Sequence, residues 1–258
     1  MSDSAALIAR LRGLAAAGGA VQADPPPADR WRDIGLARSQ LHEIYAAEPE
    51  DAGAAAGFAV AMALAAGATP IVWLRADGSE RAAGRLHATG LVELGLAPDA
   101  VVLVVAAGHA GLLRAAGDAA RCSGLGTLVV ESWGPMPAMD LTATRRLVLA
   151  AEASGATVLS LRLAADPVPS AAATRWRVGA LPSVALEADA PGSPAFDVEC
   201  LRRRGGPAGK RCQVEWNRET RSFRSLVRRA APLAGPGVPL AAGGTAQGDP
   251  PAPVRAAG

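Results

Sequence analysis

The apolar positions of this chain fall into three regimes. Leu7, Ile8, Leu11 and Leu14 recur at helical spacing with Arg10 and Arg12 opposite, which predicts a helix over 4–17 in an N-terminal segment of residues 1–20. Gly18-Gly19 stops it, and a Pro-rich linker follows over 21–33. From Leu41, short apolar runs at 41–45, 71–75, 101–106, 127–131 and 157–163 predict strands. The stretches 54–66, 80–94, 109–122 and 141–154 between them predict helices, with Gly67, Gly95, Gly124 and Gly155 where those helices would stop. Near-continuous apolar strands alternating with helices predict an α/β fold, a mostly parallel central sheet with helices on both faces. After Arg162 the third regime begins. Runs at 183–187, 196–203 and 211–216, joined by turns such as Gly205-Gly206-Pro207, predict an antiparallel C-terminal extension that completes a main domain over 34–217.

Beyond that domain, residues 218–230 read as a basic amphipathic helix with Phe223, Leu226 and Val227 on one side. Such a helix either docks in a partner's groove or packs on its own sheet, and the leading helix with Leu7 and Leu11 poses the same choice. Those five residues are the candidate partner-binding positions. Residues 231–258 are mostly Ala, Gly and Pro, with too few large apolar side chains to offset ordering entropy, which predicts a disordered tail. Ala52 to Leu74 is uncharged and long enough to span a bilayer. It is broken by Gly67 and Thr69-Pro70, so a buried helix, a turn and a buried strand are expected and a membrane span is not.

The first strand and helix enclose the most informative chemistry, which is a loss. Strand, loop and small-residue helix over Glu43–Leu64 have the layout of a phosphate-binding P-loop. A working cradle needs glycines for backbone approach, a Lys on the outer phosphates and a Ser/Thr hydroxyl on Mg²⁺. Here the loop reads Ala46-Ala47-Glu48-Pro49-Glu50-Asp51-Ala52-Gly53, and Pro49 has no N–H to donate. A carboxylate about 4 Å from a phosphate repels it by about 4 kcal/mol at an effective dielectric near 20. A helix N-terminus returns only about half a positive charge. Repulsion wins, so no nucleotide, and no cofactor of any kind, is expected. Downstream, Leu128-Val129-Val130-Glu131-Ser132 has the form of a Walker B strand, where an acidic residue at the end of a buried strand holds Mg²⁺.

Composition adds compartment and charge. The 26 basic residues include one lysine, Lys210, leaving 25 arginines, a bias that a GC-rich genome would also produce. The net charge of +2 hides an asymmetry: residues 201–229 hold ten basic and two acidic residues (+8), so the remainder carries −6. That distribution suggests an acidic partner or nucleic acid near the C-terminal end. Cys122, Cys200 and Cys212 are odd in number and scattered, as are His42, His87 and His109. Neither a disulfide framework nor a metal site is expected, and the cytoplasm is the natural compartment.

Taken in order, these residues resemble the RecA-like family, and within it the shortened bacterial branch called ImuA. The resemblance is carried by Ile34-Gly35-Leu36, Leu41-His42-Glu43-Ile44-Tyr45, the Ala-rich helix with Gly57-Phe58, Leu91-Val92-Glu93-Leu94-Gly95-Leu96 and Leu128 to Trp133. It continues through Thr174-Arg175-Trp176-Arg177-Val178, Leu201 to Gly206 and Val214-Glu215-Trp216. It implies a RecA-like P-loop NTPase fold and an accessory role in SOS damage-induced mutagenesis and translesion synthesis. The implied partners are a Y-family polymerase-like mutagenesis protein and an error-prone polymerase III alpha-like subunit, with RecA itself a further candidate. Aligned with RecA, the Lys and Ser/Thr positions fall on Ala52 and Gly53, and the catalytic Glu falls near Ala76, one residue from Asp77. A non-enzymatic protein is therefore expected; the alternatives are a residual ATP-binding ATPase or a relative of the SOS cell-division inhibitors. The two DNA-binding loops would fall near 133–140 and 164–175, and neither is basic or rich in stacking aromatics, so direct DNA binding should be weak or absent. Arg202, Arg203, Arg204, Arg175 and Arg177 are the remaining nucleic-acid candidates, and Trp133 and Trp176 could stack on bases or serve as buried anchors.

Overall fold

The apolar runs become strands. The computed structural model describes residues 37–226, all within one compact unit. Its strands are β1 (Leu41–Ala46), β2 (Ile71–Ala76), β3 (Val101–Ala106), β4 (Thr127–Trp133), β5 (Thr157–Leu163), β6 (Thr174–Leu181), β7 (Ala195–Arg203), β8 (Arg211–Asn217) and β9 (Ser222–Ser225). The helices are α1 (Ala52–Ala65), α2 (Asp77–Ala83), α3 (Ala88–Glu93), α4 (Gly108–Ala119) and α5 (Leu141–Ser154). One sheet runs in the order β3-β2-β4-β5-β1-β6-β7-β8-β9. Pairings among β1 to β6 are parallel, and β6-β7, β7-β8 and β8-β9 are antiparallel. The α/β class, the parallel sheet and the antiparallel extension are as the apolar pattern requires.

Two apolar layers cover the two faces. On one, α1 packs on Ile44, Trp73, Val129, Leu159, Leu161, Trp176 and Val178. On the other, α4 and α5 bury Leu112, Ala116, Leu147 and Ala151 against Leu74, Leu128, Val130 and Val158. Among the described residues no helix is long and apolar enough to cross a membrane; the uncharged stretch is α1, a turn and β2.

Four expectations differ from the structure. The helix expected over 80–94 is two, because Gly84 adopts a positive φ of 75° that stops α2. The strand expected over 183–187 is irregular chain, with Val184 and Leu186 exposed; it follows Pro182, which cannot donate to a ladder. Strand β6 was not among the apolar runs because Arg175 and Arg177 interrupt it, although Thr174, Trp176 and Val178 alternate inward. Finally, the described part of 218–230 is no helix. The side-chain oxygen of Asn217 accepts from the N–H groups of Glu219 and Thr220, an Asx turn that reverses the chain into β9. Phe223 then joins Phe58, Phe196 and Trp216 with ring centroids 5.3, 6.4 and 5.1 Å away, so it is part of the protein's own core. Leu226 is half-buried and its N–H donates to Gln213, while Val227, the helix with Leu7 and Leu11, the linker and the tail lie outside the described residues.

His42 ties β1 to β6 on the α1 face. The carbonyl of Ala37 can only accept, so Nε2 carries the proton and donates to it at 2.7 Å. Nδ1 then accepts from the Thr174 hydroxyl at 2.7 Å, whose oxygen in turn accepts from Trp176 Nε1 at 2.8 Å. Burial lowers the His42 pKa from 6.5 to about 4, against a smaller upward pull from Ala37. The unfolded chain therefore binds the proton first: this contribution is complete above pH 6.5 and is lost as pH falls towards 4. Between pH 7.5 and 5 the loss attributable to His42 should be about 2 kcal/mol in urea unfolding. His42→Gln, which keeps a donor for Ala37, should flatten that part of the slope; an unchanged slope would refute the assignment.

Candidate functional site

The loop between β1 and α1, where a cradle would open, is closed by its own hydrogen bonds. Residues Pro49–Asp51 form a single 3₁₀ turn rather than a wide arch. The N–H of Ala47 donates to Val178 O at 2.8 Å, and that of Glu48 to Asp51 Oδ2 at 3.2 Å. The N–H of Asp51 donates to Glu48 O, and that of Ala52 to Pro49 O. Pro49 has none. A phosphate is held by converging backbone N–H groups, and those of Ala47, Glu48, Asp51 and Ala52 are already engaged. Asp51 also reaches across to β6, where its Oδ1 accepts from the Ala180 N–H at 2.8 Å. The carboxylate that would repel a phosphate is thus a staple between loop and sheet. Glu48, Pro49, Glu50 and Gly53 lie on the surface, and Ala46 and Ala52 are half-buried.

Glu131 is closed in the same way. Its position on β4 lies directly opposite Arg75 on β2, and the period of two places Trp73 on the same face. Arg75 Nη2 donates to Glu131 Oε1 and Trp73 Nε1 to Oε2, both at 2.7 Å. The Arg75 and Glu131 side chains are 2% and 3% exposed. Both carboxylate oxygens, and the negative charge, are therefore taken up. Glu131 and its two partners form the floor of a cleft of about 270 Å³ whose walls include Val60 of α1, Leu91 of α3, Leu94 just after it, and Arg85 and His87 from the turn between α2 and α3. Asp77, beside the position where a catalytic Glu would lie, accepts from the N–H groups of Gly78 and Gly108. Mg²⁺-nucleotide does not fit this arrangement: no Lys or hydroxyl stands at the loop, four of its amides are engaged and the acid is paired. Among the described residues, no three His, Cys, Asp or Glu side chains are grouped to hold a metal ion.

The arginine candidates do not form one surface. Arg175 lies inside, donating to Glu43 Oε2 at 2.8 Å, to Ser170 Oγ at 3.1 Å and to the Val168 carbonyl, with its guanidinium over Tyr45. It holds β6 to β1, with its side chain 12% exposed. Burial and the nearby Glu43 carboxylate raise the Tyr45 pKa, which keeps that hydroxyl protonated. Arg177 pairs with Glu199 at the surface. Alternation along β7 sends Arg203 over the Trp176 ring, while Arg202 and Arg204 point to the opposite face beside α5. Trp176 is buried and Trp133 half-buried, so Trp176 is an anchor and not a stacking platform.

Sequence reasoning identified Glu131 and the loop but missed Arg75 and Trp73. The available signal was a charged residue near the end of an otherwise apolar buried run, Ile71-Val-Trp-Leu-Arg-Ala76. A buried charge of that kind needs a partner.

No family model and no curated protein matches the chain. Among solved structures it is similar to the RadB recombinase, with 13% identity, 73% of this chain and 91% of that chain covered, and a TM-score of 0.47.

Glu131→Gln leaves the Arg75 charge buried without its counter-ion, a change that costs about 3–5 kcal/mol. Urea unfolding should show that loss, and Arg75→Met combined with Glu131→Leu should lose clearly less than Glu131→Gln alone. A Glu131→Gln variant as stable as the parent would mean that the carboxylate is held for something other than Arg75.

Proposed function

We propose that this protein is a non-catalytic RecA-like scaffold that works by protein–protein contact in damage-induced mutagenesis. It would act beside a Y-family polymerase-like mutagenesis protein and an error-prone polymerase III alpha-like subunit. The observation that carries the non-catalytic part is the double closure of the nucleotide region, with loop amides bonded internally and Glu131 paired to Arg75 and Trp73. Four loop amides already bonded within the loop or to β6 support this reading over a shifted cradle. The mutagenesis role is supported by the ordered series of ImuA-like motifs.

A contact role also needs surface, and the sheet edge supplies some. β3 is an edge strand, and on it Leu103 and Val105 are exposed at 45% and 48%. An apolar edge that no strand among the described residues pairs with is open to strand addition by a partner.

Calorimetry with MgATP should give no binding heat at micromolar to millimolar nucleotide, and no phosphate should be released. Mg²⁺-dependent hydrolysis abolished by Glu131→Ala would overturn the proposal. For the contact role, Leu103→Glu with Val105→Lys should reduce co-purification of the two polymerase-type partners from damaged cells while leaving the unfolding midpoint within about 0.5 kcal/mol of the parent. Undiminished capture would exclude the β3 edge.

A further inference from the structure

A second cleft, of about 390 Å³, runs along the outer side of α5 where β7 ends. Leu141, Arg145 and Leu149 line it at successive turns of the helix, and Arg202 and Arg204 face them from β7 and the residue that follows it. The two β7-side guanidiniums are held in place. Arg202 Nη1 donates to Ser170 O at 2.7 Å, and Arg204 Nη2 to Ala171 O at 3.2 Å. Each uses one N–H in this way, and among the described residues none of Arg145, Arg202 and Arg204 makes an ion pair. Among the described residues the only carboxylate on the wall is Glu152, which accepts from Gln40, so three positive charges stand against one negative and leave +2. Beside them Leu149 is 65% exposed and Leu141 39%.

We infer that this cleft is the docking site for an acidic, leucine-bearing peptide segment of a partner protein. Pre-positioned arginines favour carboxylates, which they take in bidentate fashion. The aliphatic wall favours an apolar anchor next to those carboxylates. Leu141 and Leu149 are eight residues apart, about 12 Å along the helix, the length of two turns of a facing amphipathic helix. Single-stranded nucleic acid fits less well, since no aromatic side chain lines the cleft and stacking on aromatics is its usual anchor. The inference deepens the scaffold reading by giving one contact its chemistry. It uses no residue of the closed loop, so nucleotide binding would overturn that reading and leave this one standing.

The test is fluorescence anisotropy with the full chain and a labelled helical peptide of roughly 14 residues, two turns of contact plus flanks, carrying Leu at the ends of the contact and Glu between. Binding in the micromolar range is expected. It should weaken roughly tenfold in Arg202→Ala/Arg204→Ala and in Arg145→Ala, and also in about 0.5 M salt. Leu149→Asp, at a position 65% exposed, should weaken it as well. Absence of binding at about 100 µM peptide would overturn the inference. So would equal binding of the Gln-for-Glu peptide, or displacement by oligo(dT) at equal or lower concentration, which would assign the cleft to nucleic acid. A rise in affinity when Asp24, Asp29 and Asp33 become Asn would make the chain's own N-terminal segment the occupant, and would overturn it too.

Discussion

Helix α1 has no polar side chain, and the fold is arranged around covering it. Its fourteen residues are Ala, Gly, Phe, Val, Met and Leu, and nine of them are buried. Apolar residues all round a helix require cover on every side. The parallel strands β1, β5 and β6 supply one wall. The antiparallel strands supply another: Phe196 and Phe223 meet Phe58 at 5.7 and 5.3 Å, with Trp176 at 6.3 Å. The protein has only nine aromatic residues, three Phe, five Trp and one Tyr, and all three Phe are in this one cluster. The C-terminal extension is therefore the lid of the helix that the emptied loop begins.

What could be read from the sequence was what local pattern encodes. Runs such as Ile71–Ala76 and Thr157–Leu163 declare buried strands whatever surrounds them, and the helices between them follow from spacing. β6 is different. Its outward positions carry Arg175 and Arg177, so it is a strand by alternation and not by apolarity, and the neighbouring run at 183–187 attracted the assignment instead. The segment 218–226 misled for a related reason: Phe223 and Leu226 fit a helical face, but the Asx turn at Asn217 and the aromatic cluster decide its shape. Tertiary packing overrode local spacing there.

The site divides in the same way. A loop without Lys, hydroxyl or a proline N–H is visible residue by residue. The pairing of Glu131 with Arg75 is not, because it depends on β2 lying beside β4, an adjacency that chain order does not reveal. Once the strand order is known, the rest is forced. Two charges on facing strands, each about 2–3% exposed, must meet each other or remain uncompensated.

The staple formed by Asp51 has a consequence for reversibility. A side chain can be changed one codon at a time, and a lysine at Ala52 would bring a positive charge to the loop. It would not restore the cradle, since the N–H groups of Ala47, Glu48, Asp51 and Ala52 would still be bonded within the loop and to β6. Reopening them requires removing Asp51, replacing Pro49 and lengthening the turn, each unfavourable until the others are in place. The loop therefore serves as a structural corner joining β1, α1 and β6, and no single substitution opens it into an anion cradle.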